Sequence, residues 1–187
     1  MANATAIILA AGEGTRMKSS HAKVSHEILG KPMIRWVADA AIAGGCDRVV
    51  VVVGSHAGEV RAIVDAAYAG SAAAVECVEQ AERKGTGHAV KVALEATGID
   101  EGPVVVFNGD LPLVTAETVR AFAESVSAGN AAATAFTIPP PDPFGYGRIV
   151  LAEDGTIERN IEQKDCTPEQ AATLLECNAG CYAFDGA

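Results

Sequence analysis

The sequence predicts an α/β fold built on a mostly parallel sheet with helices on both faces. Three observations predict it. The apolar stretches at 5–11, 48–53 and 103–107 run without alternation, as strands do when both faces are covered. Helical segments at 32–44, 56–68, 87–97 and 115–128 separate strands, the rhythm of parallel βα units. Ala and Gly are abundant while aromatic residues make up only 5%, which suits close packing of helices on a sheet.

Taken in order, 5–11 is a strand that runs into a glycine loop. The helix at 32–44 has Pro32 in its first turn and Gly44-Gly45 at its end, the expected asymmetry of helix termini. The strand at 48–53 is followed by a helix at 56–68, a strand at 74–79, a helix at 87–97 and a strand at 103–107. Thr115 is placed to cap the helix at 115–128, with Thr118 in its first turn, and 131–138 is a strand. The rhythm changes after Pro139-Pro140-Pro141. A turn at 144–147 leads to strands at 148–152 and 156–162 joined by Asp154-Gly155, a strong hairpin signal. A short helix at 167–175 with Pro168 at its first position precedes a last strand at 178–184. The expected organisation is one Rossmann-like domain, with a nucleotide-binding core at 1–138 and a hairpin-containing portion at 139–187. The abrupt ending reads as a cut through a domain.

Composition narrows the function classes. A chain of 187 residues, 49% hydrophobic and 20% charged, can bury a real core. A net charge of −10 argues against a nucleic-acid or anionic-membrane surface, but not against a nucleotide ligand. Local charge decides at contact distance, because salt screens beyond roughly 8 Å. No apolar run approaches the roughly 20 residues that span a bilayer, and the N-terminus lacks the basic and apolar regions of a signal peptide. Five cysteines without a Cys-x-x-Cys pattern are expected to be reduced thiols of a cytoplasmic protein. Cys177 and Cys181, four apart in a strand, would stand roughly 13 Å apart, too far for a disulfide. No histidine sits at metal-ligand spacing from them. His21, His26, His56 and His88 show no triad logic and are expected to be structural or solvent-facing; no Gly-x-Ser-x-Gly elbow is present.

The most informative stretch is 7–23. A strand feeding a glycine-rich, cationic loop brings backbone N–H groups and positive charge to phosphates. Gly12 and Gly14 permit close approach, and Arg16 and Lys23 can neutralise phosphate oxygens. The Walker pattern is absent. The dinucleotide fingerprint fails too, since Met17 stands where its third glycine belongs. Ligands of open α/β sheets bind outside the carboxyl ends of the strands, and further polar segments fall there. Asn108-Gly109-Asp110 follows an apolar strand. Asp110 either caps the turn before Leu111-Pro112 or anchors Mg²⁺, which favours few carboxylates plus substrate phosphates; the neighbouring cationic loop favours the metal. Gln80 to His88 is a second glycine loop, containing Gly85 and Thr86. It is either an ordinary turn or a base-binding segment in which the Gln80 amide pairs with a uracil edge. Gly147, Glu162 and Asn178 flank the hairpin and the last strand. They are ordinary surface polar residues, or they converge on sugar hydroxyls and an acetamido group.

Leu9 to Met17, with Lys23 six residues on, resembles the opening loop of sugar nucleotidyltransferases. The continuation Lys23-Val24-Ser25-His26 and Gly30-Lys31-Pro32-Met33 narrows the resemblance to the uridyltransferase domain of the bifunctional N-acetylglucosamine-1-phosphate uridyltransferase/glucosamine-1-phosphate acetyltransferase family, and it covers the whole chain. The resemblance implies a fold of the nucleotide-diphospho-sugar transferase type and transfer of uridylyl from UTP to N-acetylglucosamine 1-phosphate, with Mg²⁺ on Asp110. It implies uridine contacts from Leu9, Ala10, Ala11, Gly12, Gln80, Gly85 and Thr86, further substrate contacts at Asn108 and Gly109, and an amino-sugar pocket at Gly147, Glu162 and Asn178. Arg16 would hold the triphosphate and Lys23 the sugar-side phosphate. The family's second metal ligand, an asparagine, and its β-helix acetyltransferase domain, which builds the trimer, correspond to sequence beyond residue 187. The chain alone is therefore expected to turn over poorly. Departures from the family pattern are Glu13, Ala22 in place of the usual proline, Ser25 in place of an apolar residue, and Ala179 where threonine is common. Two other readings remain: transfer to another sugar or alcohol phosphate, and a non-catalytic nucleotide-sugar sensor.

Overall fold

A computed structural model describes residues 4–12, 14, 17–82, 84–127 and 131–186. The chain forms two compact units, Met1–Thr134 with Tyr182–Ala187, and Ala135–Cys181. The end of the chain returns to the first unit, a long-range pairing that chain order does not reveal.

In the first unit the strands are β1 (Ala4–Ala10), β4 (Cys46–Val53), β5 (Ala74–Glu79) and β6 (Pro103–Asn108), joined at one edge by the end of β10 (Cys177–Asp185). Their order is β5-β4-β1-β6-β10. β1 lies parallel to β4, with Ile7 opposite Val50, and parallel to β6, with Ile7 opposite Val106. β4 and β5 are also parallel, whereas β10 runs antiparallel to β6 over Tyr182–Asp185. The sheet is thus mostly parallel, as the sequence predicts, with one antiparallel edge.

The continuous apolar runs are explained by cover on both faces. Val49, Val50, Val51, Val52 and Val53 are all fully buried; each contributes about 1.5 kcal/mol or more relative to an exposed side chain. On one face Ile7, Val50, Val52, Val104 and Val106 meet Ala89 and Ala93 of helix α3 (Thr86–Thr97). On the other, Phe107 meets Phe122 of α4 (Ala116–Ser127), ring centroids 5.7 Å apart. Helix α1 (Met33–Ala43) buries Ile34, Val37, Ala38 and Ala41 and packs beside α4, while α2 (Ala57–Tyr68) packs on β4 and β5. The Thr115 hydroxyl accepts the Thr118 N–H at 3.1 Å, capping α4 as expected.

The helix expected from 32 begins one residue later, because Lys31–Pro32 forms a short strand, β3, paired with β2 (Glu27–Ile28). Their turn puts Leu29 at φ 53° and Gly30 at φ 75°. A leucine in that region carries none of the glycine or asparagine signal that marks such turns, so the hairpin is not legible in the sequence.

Within the second unit, β8 (Arg148–Leu151) and β9 (Ile157–Ile161) form the expected antiparallel hairpin. Asp154 accepts from both the N–H and hydroxyl of Thr156 and shapes the turn. The short α5 (Pro168–Thr173) opens on a capping box between Thr167 and Gln170. β7 (Ala133–Ile138) pairs with β10, and both strands pass from one unit into the other. None of the five cysteines is in a disulfide. Among the described residues no helix is long and apolar enough to cross a membrane.

The end of β4 fixes the end of β1. A Cβ on Gly54 would lie 2.8 Å from the Ala11 carbonyl oxygen and 3.1 Å from its Cα, backbone atoms that do not yield cheaply. Gly54→Ala is expected to destabilise the domain by about 1–3 kcal/mol, read as a lower urea midpoint at unchanged m-value.

Candidate functional site

The site is built where β1 and β6 end side by side. Gly109 donates its N–H to the Leu9 carbonyl at 2.9 Å, carrying the pairing one step past the strands. A side chain at Gly109 would be 3.0 Å from Val24, 3.2 Å from Ile34 and 3.2 Å from that carbonyl. Only glycine therefore lets the strand end sit this close, and it places Asp110 next to the loop that follows β1. In that loop Gly14 takes φ 59°, and a Cβ there would be 2.8 Å from Cβ of Lys23. Conformation and space both require glycine, and the stem of Lys23 lies over it.

Lys23 stands on a 3-10 turn, Lys23–Ser25, anchored by the buried Ala22 and Val24. Its ammonium ion-pairs with the Asp110 carboxylate. Both side chains are part exposed, 39% and 28%, so the pair is reachable by ligand and its strength is moderated by solvent. A cavity of about 410 Å³ opens around it, lined by Leu9, Ala10, Gly12, Gly14, Met17, Lys23, Val24, Thr86, Asn108 and Asp110. The first turn of α3 enters this lining through Thr86, and helix N-termini favour anions. Gly85, at φ 96°, precedes it. A larger apolar groove, about 560 Å³, runs along α3 beside Phe184 and lacks these convergent groups.

Most of the nucleotide-side expectations fall around this cavity: Leu9, Ala10, Gly12, Lys23, Thr86, Asn108 and Asp110 line it, and Ala11 and Gly109 adjoin it in the chain. Arg16 lies outside the described residues. Gln80 is buried, and its amide nitrogen is 3.1 Å from the Gly85 carbonyl and 3.0 Å from Nδ1 of His88; it ties the second glycine loop together from inside. Within the second unit, Gly147, Glu162 and Asn178 share a neighbourhood. Asn178 donates its N–H to the Gly147 carbonyl at 2.9 Å. Asn160 donates to Glu162 at 3.0 Å and fills the space a side chain at Gly147 would need. The buried Arg148 donates to the Tyr146 carbonyl and to Gln163, which also accepts the Gly145 N–H.

A strand, a glycine loop and a lysine–aspartate pair shared between adjacent parallel strands make a phosphate-directed site. A family model, the MobA-like NTP transferase domain, matches residues 6–160. The chain belongs to the MobA-like NTP transferase family. Among curated relatives it is 42% identical over 185 residues to the Bifunctional protein GlmU of Trichlorobacter lovleyi, covering 99% of this chain and 39% of that one. It is 43% identical over 185 residues to the GlmU of Corynebacterium aurimucosum, with 99% and 38% covered. The chain thus spans about two fifths of the length of the curated relatives it matches. A solved structure, assigned as a glucose-1-phosphate thymidylyltransferase from Bacillus anthracis in complex with sucrose, shares the fold at a TM-score of 0.77 and 19% identity, over 98% of this chain and 72% of that one.

This MobA-like domain uses residues that sequence reasoning did not single out. Glu59, in the first turn of α2, accepts the Ala22 N–H at 2.8 Å and the Ser25 hydroxyl at 2.7 Å, and lies 2.9 Å from Nδ1 of His21. His26 similarly lies 3.1 Å from the Ser19 hydroxyl. A glutamate near a helix start is common, so nothing local marks Glu59. The Ala22 N–H above all, then the Ser25 hydroxyl and His21, hold its carboxyl below the usual carboxylate range, against a smaller opposing push from burial. A carboxyl lowered by folding adds stability above its unfolded value, about 4.3, and that stability is lost as pH falls through the lowered folded value. Thermal melts of wild type and Glu59→Gln are expected to differ at pH 7 and to converge as pH drops below about 4.

Proposed function

We propose that this domain transfers the uridylyl group of UTP to N-acetylglucosamine 1-phosphate, giving UDP-N-acetylglucosamine and pyrophosphate. The observation that carries the reading is the joining of Lys23, Asp110 and the β1 loop around one cavity, in a chain about 40% identical to GlmU proteins.

A sugar phosphate oxygen attacks the α-phosphorus of UTP while the bond from that phosphorus to the bridging oxygen of the β-phosphate breaks, and pyrophosphate leaves with the electron pair. The attacking phosphate is largely ionised at neutral pH, its second pKa being about 6, so no general base is needed. Catalysis then comes from in-line positioning and charge neutralisation. Lys23 holds the sugar-side phosphate, and Arg16 the triphosphate and the leaving pyrophosphate. Backbone at Leu9, Ala10, Ala11 and Gly12, with Gln80, Gly85 and Thr86, contacts uridine; Asn108 and Gly109 border the phosphates. Gly147, Glu162 and Asn178 hold the amino sugar, consistent with a nucleotide-binding core at 1–138 and a sugar-binding portion at 139–187.

A divalent metal suits the donor set: Asp110 offers one carboxylate beside a phosphate-directed cavity, and Mg²⁺ takes one or two carboxylates and completes its shell with phosphate oxygens and water. When bound at Asp110, Mg²⁺ supplies charge neutralisation at the phosphates. On this reading the product is a precursor for peptidoglycan and the reaction runs in the cytoplasm.

Pyrophosphate release in the full native polypeptide, with Mg²⁺ and a panel of UTP, CTP, dTTP and GTP, tests the reading. UTP with N-acetylglucosamine 1-phosphate is expected to be preferred. Arg16→Ala and Asp110→Asn are each expected to lower kcat more than tenfold, since one lost charge-stabilising group costs roughly 3 kcal/mol. Equal rates with all four nucleotides, or unchanged kcat in both variants, would contradict it.

A further inference from the structure

We propose that Glu59 is a positioning residue for Lys23, a carboxylate clamp on the turn that carries it. The proposal rests on Lys23 acting on substrate phosphate. Three donors that bracket Lys23 in sequence, from His21, Ala22 and Ser25, meet a single carboxylate from α2. The Ser25 backbone N–H donates to the Ala22 carbonyl at 3.0 Å, closing the turn on itself. Gly14 backs the lysine stem from the other side, and Asp110 meets its ammonium. The backbone under a long, flexible side chain is thus fixed at both ends, which narrows where the ammonium is delivered.

Ala22 sits at φ −57°, ψ 137°. That φ is the one a proline ring locks covalently. Ala22 and Ser25 both donate to Glu59. Each supplies a donor to Glu59 that a proline or an apolar side chain lacks. A hydrogen-bonded clamp and a pyrrolidine ring are therefore alternative ways to hold one backbone conformation. They are mutually exclusive, because the ring of a proline would put its Cδ where the Ala22 N–H now points at Glu59, 2.8 Å away.

This exclusivity gives a test that a general stabilising role of Glu59 does not share. Binding of UDP-N-acetylglucosamine with Mg²⁺ is measured by calorimetry for wild type, Glu59→Ala, Glu59→Gln, Ala22→Pro and the Glu59→Ala/Ala22→Pro double variant, alongside amide hydrogen exchange of 21–25. Glu59→Ala is expected to weaken binding on the order of tenfold, since small displacements of a positioned group carry penalties of that scale, with faster exchange confined to 21–25 and the segments touching it. Glu59→Gln, which keeps one acceptor, falls between. Ala22→Pro weakens binding in the wild-type background and strengthens it in the Glu59→Ala background. Wild-type affinity in Glu59→Ala, or a double variant that binds no better than Glu59→Ala, would overturn the proposal. Should wild type bind no UDP-N-acetylglucosamine, the functional reading falls. The exchange data then decide the clamp separately, and equal exchange at 22–25 in wild type and Glu59→Ala would refute it.

Discussion

β1 runs between β4 and β6, parallel to both, and everything at the site depends on that arrangement. Parallel neighbours in matched register finish at the same level, so the loops that leave them emerge together. The loop after β1 carries Gly12, Gly14 and, further on, Lys23; the loop after β6 carries Gly109 and Asp110. Their meeting in the Lys23–Asp110 pair is a consequence of strand register, secured by the Gly109 N–H on the Leu9 carbonyl. The strands themselves hold that register because their apolar side chains are buried on both faces, against α3 on one side and α4 on the other.

Opposite charges in a half-open cavity suit a ligand that carries both anionic oxygens and a bound cation. An ammonium alone would bind phosphate; a carboxylate alone would repel it. Side by side, and with the start of α3 adding its positive end, they let phosphate and divalent metal be accommodated together, which is the demand of the proposed nucleotidyl transfer. The supporting layer does separate work. Gly14 gives Lys23 room, Gly54 lets β4 close on the end of β1, and Gln80 and His88 secure the second glycine loop from behind.

How much of this is legible in the sequence depends on the range over which each feature is encoded. The strands at β1, β4 and β6 are readable because continuous valine and isoleucine runs have one economical explanation, double cover. Thr115 and Pro168 mark their helices because capping chemistry is local. The loops after β1 and β6 are readable as ligand-directed because glycine, cation and carboxylate follow apolar strands. The antiparallel direction of β10 is not readable: strand composition says nothing about direction, and the pairing of Tyr182 with Val106 joins positions far apart in the chain. The β2–β3 hairpin hides because Leu29 takes a conformation its side chain disfavours. Glu59 hides for a third reason. Its partners lie 34 to 38 residues earlier, and only the fold brings α2 against the turn that holds Lys23.

The proposed transfer requires that Lys23 and Asp110 face one cleft in which phosphate and a divalent cation meet. A crystal of the protein grown with Mn²⁺ and UDP-N-acetylglucosamine, measured at the manganese absorption edge, shows whether they do. An anomalous peak is expected at coordination distance, about 2 Å, from an Asp110 carboxylate oxygen, with diphosphate density reaching the ammonium of Lys23. A peak and ligand lodged elsewhere, with Lys23 and Asp110 untouched by either, would contradict the proposed transfer.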